Sequence, residues 1–282
     1  MDWSIGRDTA EAAADCSLRV VLSIHRSGDY TSALALAGEA AELTERQLGP
    51  NAPLVYRIRS RAARALLRLG RFEESAAMHR ELMEQCEREL GLDAPETLEN
   101  CLLLAGPLSN IGRMQEALPL LRRAVEGRTG IFGHMHPLTL IARKHLLSMA
   151  EAAAPAERDD IIAGGPVLME DCRRELGADH TTTIQVELDY ASSLSRAGRP
   201  HEALPHARSS VDNFRQCYGP GHPLTLNART TLGNVLAELG QLGEAIEQTE
   251  LVVNGRIDVL GPVHPHTILA KERLERYRSS HQ

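Results

Sequence analysis

The eight residues Gly219-Pro220-Gly221-His222-Pro223-Leu224-Thr225-Leu226 decide the fold, because the chain repeats their pattern six times. Equivalent stretches run over residues 49–56, 91–98, 133–140, 177–184 and 261–268; each opens on Gly, and all but the copy at 177 place Pro four residues later. The leading glycines are 42, 42, 44, 42 and 42 residues apart. Self-similarity at this period marks stacked supersecondary units, each too small to bury its apolar face alone, and it outranks any single-residue motif. A binding scaffold is the expected object. The repeat does not name what it binds.

A second punctuation mark falls midway through five of the repeats, at Gly28, Gly70, Gly112, Gly198 and Gly240. Five residues beyond each stands a small residue: Ala33, Ser75, Ala117, Ala203 and Ala245. Between the two marks the apolar spacing is helical, as in Leu226, Leu232, Val235, Leu236 and Leu239, so each repeat reads as a helix pair. Gly219 can take the left-handed conformation that ends one helix, and Pro223 suits the first turn of the next. His136, His180, His222 and His264 recur at one slot before Pro or Thr. A metal or catalytic histidine has no reason to be copied into every repeat, so these histidines are expected to serve the turn.

This pattern resembles the tetratricopeptide repeat, in the long-period form found in kinesin light chains and many bacterial proteins, with Gly-x-x-His-Pro-x-Thr-Leu opening each unit. The resemblance covers about residues 14–278. Ala63, Ala105, Ala191 and Gly233 match the family's close-contact slot on first helices, and Ala33, Ala117, Ala203 and Ala245 the slot on second helices. It implies an all-α fold: a right-handed superhelical solenoid of about six antiparallel helix pairs plus a C-terminal capping helix. The expected organisation is a single domain over 1–282, with repeats at about 9–48, 53–90, 95–132, 137–176, 181–218 and 223–260 and a cap at 265–279.

The array departs from its own rule in three places. Gly106-Pro107 falls inside a first helix, where Pro removes a backbone hydrogen bond, so a kink is expected. The fourth repeat lacks the midpoint Gly, carries two extra residues within 150–166, and has its second helix interrupted by Gly164-Gly165-Pro166. It reads either as a hinge between the first three repeats and the last two or as a neutral insertion. The last segment, rich in Lys271, Glu272, Arg273, Glu275, Arg276 and Arg278, begins a first helix without a partner and reads as a solvent-facing cap. At the other end, Trp3 either packs over the exposed end or lies free.

Composition narrows the function. Hydrophobic residues are 43% and aromatic residues 3%, which suits small residues interlocking between close helices; a net charge of −7 gives no bulk attraction to nucleic acid or membrane. Five widely spaced cysteines suggest neither a disulfide framework nor a zinc site, and with no signal peptide or apolar span in view a cytoplasmic location is expected. No catalytic residues, metal ligands or cofactors are identified. His201 and His206 flank Glu202 five residues apart, a spacing that does not bring two rings to one helical face.

In a solenoid of the family it resembles, first helices line the concave surface. On the second of them Arg57, Arg61, Arg64 and Arg68 stand at offsets zero, four, seven and eleven, one stripe of guanidinium groups suited to carboxylate or phosphate. The alternative is that this stripe pairs with Glu39, Glu42, Glu45 or Glu99 and merely solubilises the array. Aligned faces add Asp15, Arg19, Leu22, His25 and Arg26, then Lys144 and His145, then Gln185, Asp189, Ser192 and Arg196, then Asn227, Thr230, Thr231, Asn234 and Glu238. Arg59, Arg143 and Arg229 recur at one slot and read as scaffold. The expected function is a protein- or peptide-binding scaffold, its partner carrying acidic groups or a free carboxylate. An enzyme or small-molecule binder with a pocket near the third and fourth repeats, in which His25, His145 and Asp189 could meet, is the alternative. A peptide-sensing regulator is the third.

Overall fold

The computed structural model describes residues 3–281, and among them every regular element is helical. The side chains of Trp3 and Arg26, for which positions were expected, lie outside the described residues. Contacts divide the chain into two compact units, Met1–Arg128 and Thr129–Gln282. The first holds α1 (Trp3–Ser27), α2 (Tyr30–Leu48), α3 (Pro53–Arg68), α4 (Phe72–Leu90), α5 (Pro95–Asn110) and most of α6 (Met114–Phe132), inside which the division falls. The second holds α7 (Pro137–Ser148), a 3-10 turn (Ala150–Ala152), α8 (Pro155–Ala163), α9 (Gly165–Leu176), α10 (Thr181–Arg196), α11 (Pro200–Tyr218), α12 (Pro223–Glu238), α13 (Leu242–Leu260) and α14 (Pro265–His281).

The turns explain the repeat. Among the described residues, all positive-φ positions are glycines, and they are the eleven that punctuate the sequence. Gly219 has φ 88° and ψ 166°, so the chain enters the extended corner of positive-φ space and not the left-handed helical well expected for it. Only glycine visits that corner cheaply. Three bonds then fix the loop. The Gly219 N–H closes α11 on the Arg215 carbonyl at 3.0 Å, His222 Nδ1 accepts the Leu224 N–H at 3.3 Å, and Thr225 Oγ1 donates to the Gly219 carbonyl at 2.8 Å. The threonine bond recurs from Thr97, Thr139, Thr183 and Thr267 to the glycine six residues back, and each of these hydroxyl-bearing residues is buried. His136, His180 and His264 repeat the cap, so the histidines do serve the turn. Since Nδ1 accepts, a neutral ring carries its proton on Nε2.

The midpoint turns use a different device. At Gly240 the glycine N–H bonds the Ala237 carbonyl at 3.0 Å and the Gln241 N–H bonds the Leu236 carbonyl at 2.8 Å, the paired bonds that satisfy the last carbonyls of a helix. Gly70, Gly112 and Gly198 end α3, α5 and α10 in the same way. Helix α5 runs on through Pro107 to Asn110 and closes with this pair of bonds, although Pro107 has no N–H to give the Leu103 carbonyl.

Small residues set the spacing within pairs. Ala33, Ala63, Ala105, Ala117, Ala191, Ala203 and Ala245 are buried, and Ser75 Oγ reaches the Ala63 carbonyl on the facing helix at 2.7 Å. A Cβ on Gly233 would stand 3.2 Å from Thr249 Oγ1 and 3.6 Å from the Ala245 carbonyl, so this copy of the slot is tight even for alanine. The core of the first unit joins Leu18 and Val21 to Ala37, Ala40 and Ala41 and to Ile58 and Ala62. That of the second runs from Leu140 to Ala245.

The irregular fourth repeat is built into that second core. Ala150 and Ile162 are 1% exposed and belong to it, as do Leu168, Met169 and Cys172 on α9. The break between α8 and α9 falls at Gly164, as the Gly164-Gly165-Pro166 sequence implies. On the last helix Ala270 and Leu274 pack on Val252 and Val253 of α13 and Arg273 and Tyr277 are partly buried, while Glu272, Glu275, Arg276 and Arg278 are exposed.

Candidate functional site

In the first unit α1, α3 and α5 pack side by side, so residues on one face of each form a continuous wall. The arginine stripe lies on α3 in that wall. Arg57 and Arg68 are exposed, while Arg61 and Arg64 are partly buried. Burial, and then the charge of Arg61, push the Arg64 guanidinium down to about 10; Glu99 opposes this and Arg68 reinforces it. His25 on α1 faces the same field. Burial, followed by Arg64, Arg68 and Arg61, pushes its imidazole down to about 4, and its ring stands edge-on to Tyr30 at 5.1 Å. Three cationic side chains thus act on one partly buried imidazole, which stays neutral at neutral pH.

Of the four carboxylates that could neutralise this stripe, three pair with other arginines, and one of these, Glu99, still acts on Arg64. Glu42 pairs with Arg46 at 3.4 Å, Glu45 with Arg59 at 2.6 Å, and Glu99 with the buried Arg128. Beneath the stripe His79 is fully buried on α4, its Nδ1 3.0 Å from Asn100 Oδ1 and its Nε2 without a hydrogen-bond partner among the described residues. Arg19 is exposed on α1.

In the second unit α10 packs against both α7 and α12. Lys144 Nζ donates to Gln185 Oε1 at 3.2 Å. Burial raises the Asp189 carboxyl to about 6, with Lys144 and Arg196 acting against the rise, so Lys144, Gln185 and Asp189 do come together. His145 is partly buried on α7. Asn227 accepts from Arg256 Nη2 at 3.2 Å, and Asn234 Oδ1 accepts the Tyr277 hydroxyl at 3.0 Å. His206, from the rejected zinc-like spacing, stands against Tyr190 at 5.1 Å with its Nδ1 3.5 Å from Glu187. Arg59, Arg143 and Arg229 are pinned to second helices, through Glu45, Asp171 at 2.9 Å and Gln248 at 2.6 Å, which is the behaviour of scaffold.

Sequence reading missed a slot on the second helices. Thr44, Cys86, Arg128, Cys172, Phe214 and Arg256 fall at steps of 42, 42, 44, 42 and 42, and all are buried. In two copies the slot holds a charge, preceded by glycine. A Cβ on Gly127 or Gly255 would come within 2.7 Å of Leu98 or Leu226, so the bare backbone lets the helix sit close while the arginine reaches the first-helix wall. Arg128 finds Glu99 there; Arg256 finds Asn227, Thr230 and the His266 carbonyl, and burial pushes it down to about 10. The doublets Gly127-Arg128 and Gly255-Arg256, each 29 residues after a wall residue, were the available signal.

A family model described as Tetratricopeptide repeat matches residues 12–88 and 182–256, more than half of the chain. The chain belongs to the tetratricopeptide repeat family. Solved structures that share the tetratricopeptide fold include a putative kinesin light chain from Podosopora anserina with nearly identical TPR-like repeats, at 20% identity over 72% of this chain and 95% of that one, TM-score 0.51. BtubC (BKLC) from P. vanneervenii aligns at 13% identity over 91% and 93%, TM-score 0.51. A Rap protein complexed with competence and sporulation factor aligns at 9% identity over 94% and 74%, TM-score 0.61. No curated protein matches the chain. None of the described helices of this tetratricopeptide protein is long and apolar enough to cross a membrane.

Proposed function

We propose that the chain is a protein- or peptide-binding scaffold whose anchor is the stripe Arg57, Arg61, Arg64 and Arg68 on α3, and whose partner presents acidic groups or a free carboxylate. The observation that carries this reading is the crowding of positive charge on one wall, where Arg61 and Arg68 press on Arg64 and all three press on His25. A partly buried guanidinium held among like charges is stabilised when an anion docks on it, and its planar donors fit a carboxylate. Arg19 and His25 stand near the stripe and belong to the same proposed surface; in the second unit, taken by itself, Lys144, His145, Gln185, Asp189, Asn227 and Asn234 are the proposed hydrogen-bonding residues. The Rap protein of the same fold was solved with competence and sporulation factor bound, which supports a binding role for such a scaffold.

Partner capture from native extract tests it, with wild type beside Arg61→Glu/Arg64→Glu and beside Arg57→Glu/Arg68→Glu, the latter pair being exposed and structurally milder. Both reversals should weaken capture and flatten its dependence on salt. Unchanged capture by a folded double reversal removes the anchor assignment.

A further inference from the structure

A second cationic feature lies in the other unit and owes nothing to the stripe. A cavity of about 460 Å³ opens between α10, α12 and α14, lined by Ser192, Ser195 and Arg196, by Thr231, Asn234 and Glu238, and by Arg273, Arg276 and Tyr277. Its size falls within the range of small-ligand sites, roughly 300–1,000 Å³. The charges around it are unequal. Arg196 is committed to Glu151, and Glu238 accepts the Ser195 hydroxyl at 2.6 Å. Arg273 and Arg276, three apart on the last helix, have no ion pair or hydrogen bond among the described residues, whereas Arg278, which lies outside the cavity lining, pairs with Glu250 at 2.6 Å.

Arg273 is also partly buried, and burial lowers its guanidinium below the ordinary arginine range; Tyr277 opposes this, while Arg276 and Arg196 deepen it. A desolvated cation beside other cations is a standing cost unless an anion shares the space. The remaining wall is suited to hold such a molecule in one pose. The Tyr277 hydroxyl is fixed on Asn234 Oδ1, which orients that amide's nitrogen as a donor, and Ser192 and Thr231 add hydroxyls.

We infer that the cavity between α10, α12 and α14 binds a small dianion, its carboxylate or phosphate oxygens held by Arg273 and Arg276 and its polar body by the Asn234 and Thr231 side. Two negative charges match the two uncommitted guanidiniums, and planar forked donors grip paired oxygens.

The test uses the full chain, with succinate, inorganic phosphate and a short peptide bearing adjacent glutamates, each titrated by calorimetry at constant ionic strength. Saturable binding of at least one is expected, weakened about tenfold or more in Arg273→Gln and in Arg276→Gln, because each removes a charge-assisted hydrogen-bond donor set. Arg278→Gln should bind as wild type does. The three probes separate the sources: succinate or phosphate binding marks a free metabolite-sized anion, and binding of the peptide alone marks an acidic side-chain pair on a protein. Arg276 is exposed, so its variant stays informative if Arg273→Gln does not fold. No saturable binding of any probe, or binding undiminished in both variants, overturns the site. Arg57→Glu/Arg68→Glu should leave dianion binding unchanged, which keeps this outcome separate from that of the α3 anchor.

Discussion

The ring of Tyr190 on α10 occupies the space a side chain at Gly165 would need: a Cβ there would stand 2.7 Å from Cε2 and closer still to Cδ2. The interruption of the fourth repeat is therefore a packing solution in which α9 begins on a bare residue so that an aromatic ring can lie across its backbone. Gly165→Ala should cost about 1–3 kcal/mol through overpacking. Gly164→Ala should be neutral or slightly stabilising, since its φ of −73° is ordinary and its nearest neighbour would stand at 3.4 Å. Denaturant titration of the two variants decides it; equal stabilities would mean that the ring yields.

The opening turn makes a second paired prediction. Gly219 sits at φ 88°, whereas Gly221 two residues on has ordinary backbone and open space around it. Gly219→Ala should lose about 1–3 kcal/mol and Gly221→Ala no more than about 0.5. Thr225→Val, which removes the hydroxyl that closes the loop on the Gly219 carbonyl, should cost about 1 kcal/mol. The second repeat already carries Val55 at this slot, fully buried, so the substitution fits sterically and the loss reads out the hydrogen bond alone.

What the sequence disclosed and what it hid follow from how local each feature is. Turn glycines, helix-opening prolines and the small contact residues are demands of the backbone at fixed offsets, and six copies make them visible. Whether Glu45 neutralises the arginine stripe is a question of which rotamer reaches which neighbour, and spacing does not contain the answer: Glu45 goes to Arg59, fourteen residues on. Arg273 and Tyr277 were hidden for the same reason. A helix rich in charge reads as solvated, yet Tyr277 turns back 43 residues to Asn234, and both Tyr277 and Arg273 are partly buried. The Arg128 and Arg256 slot was legible in principle, because its repeat period is the one that gave the fold, but a charged residue at a core position does not present itself as core.

Acid should act through His79 and Asp189 in opposite senses. His79 is fully buried, and burial, with Arg64 and Arg61 against it and Asn100 and Glu99 in its favour, holds its imidazole at about 4, below the 6.5 of an unfolded chain. Between those values the unfolded state binds the extra proton, so the contribution of His79 is complete above pH 6.5 and disappears as pH falls towards 4, a loss on the order of 3 kcal/mol. Asp189 is raised to about 6, so its contribution is complete below 3.8 and is lost as pH rises through 6. Denaturant midpoints from pH 4 to 7 should show a shallower acid loss in His79→Gln and a steeper one in Asp189→Asn. A His79→Gln profile parallel to wild type would mean that the buried imidazole titrates normally.

Arg128 and Arg256 occupy one structural slot with different partners, and the difference is measurable. Arg128 meets a carboxylate, so Arg128→Met leaves Glu99 without its cation beside the arginine stripe; Arg256 meets only neutral acceptors, so Arg256→Met removes a desolvated charge that no anion compensates. The slot accepts apolar and small side chains in its other copies, Cys86, Cys172, Phe214 and Thr44, so methionine has room in both cases. Arg256→Met should therefore change stability by less than about 1.5 kcal/mol in either direction, because buried charges are often replaced by apolar groups at little cost. Arg128→Met should cost more, about 2–3 kcal/mol, and Glu99→Gln in the same chain should recover part of it, a coupling of about 0.5–3 kcal/mol between the two positions. Removing Arg128 also leaves the Glu99 carboxylate, which already acts on Arg64, to the α3 stripe. Arg128→Met should then weaken capture of an acidic partner while Arg256→Met leaves it intact; equal effects of the two substitutions on capture would mean that Glu99 does not reach the stripe when released.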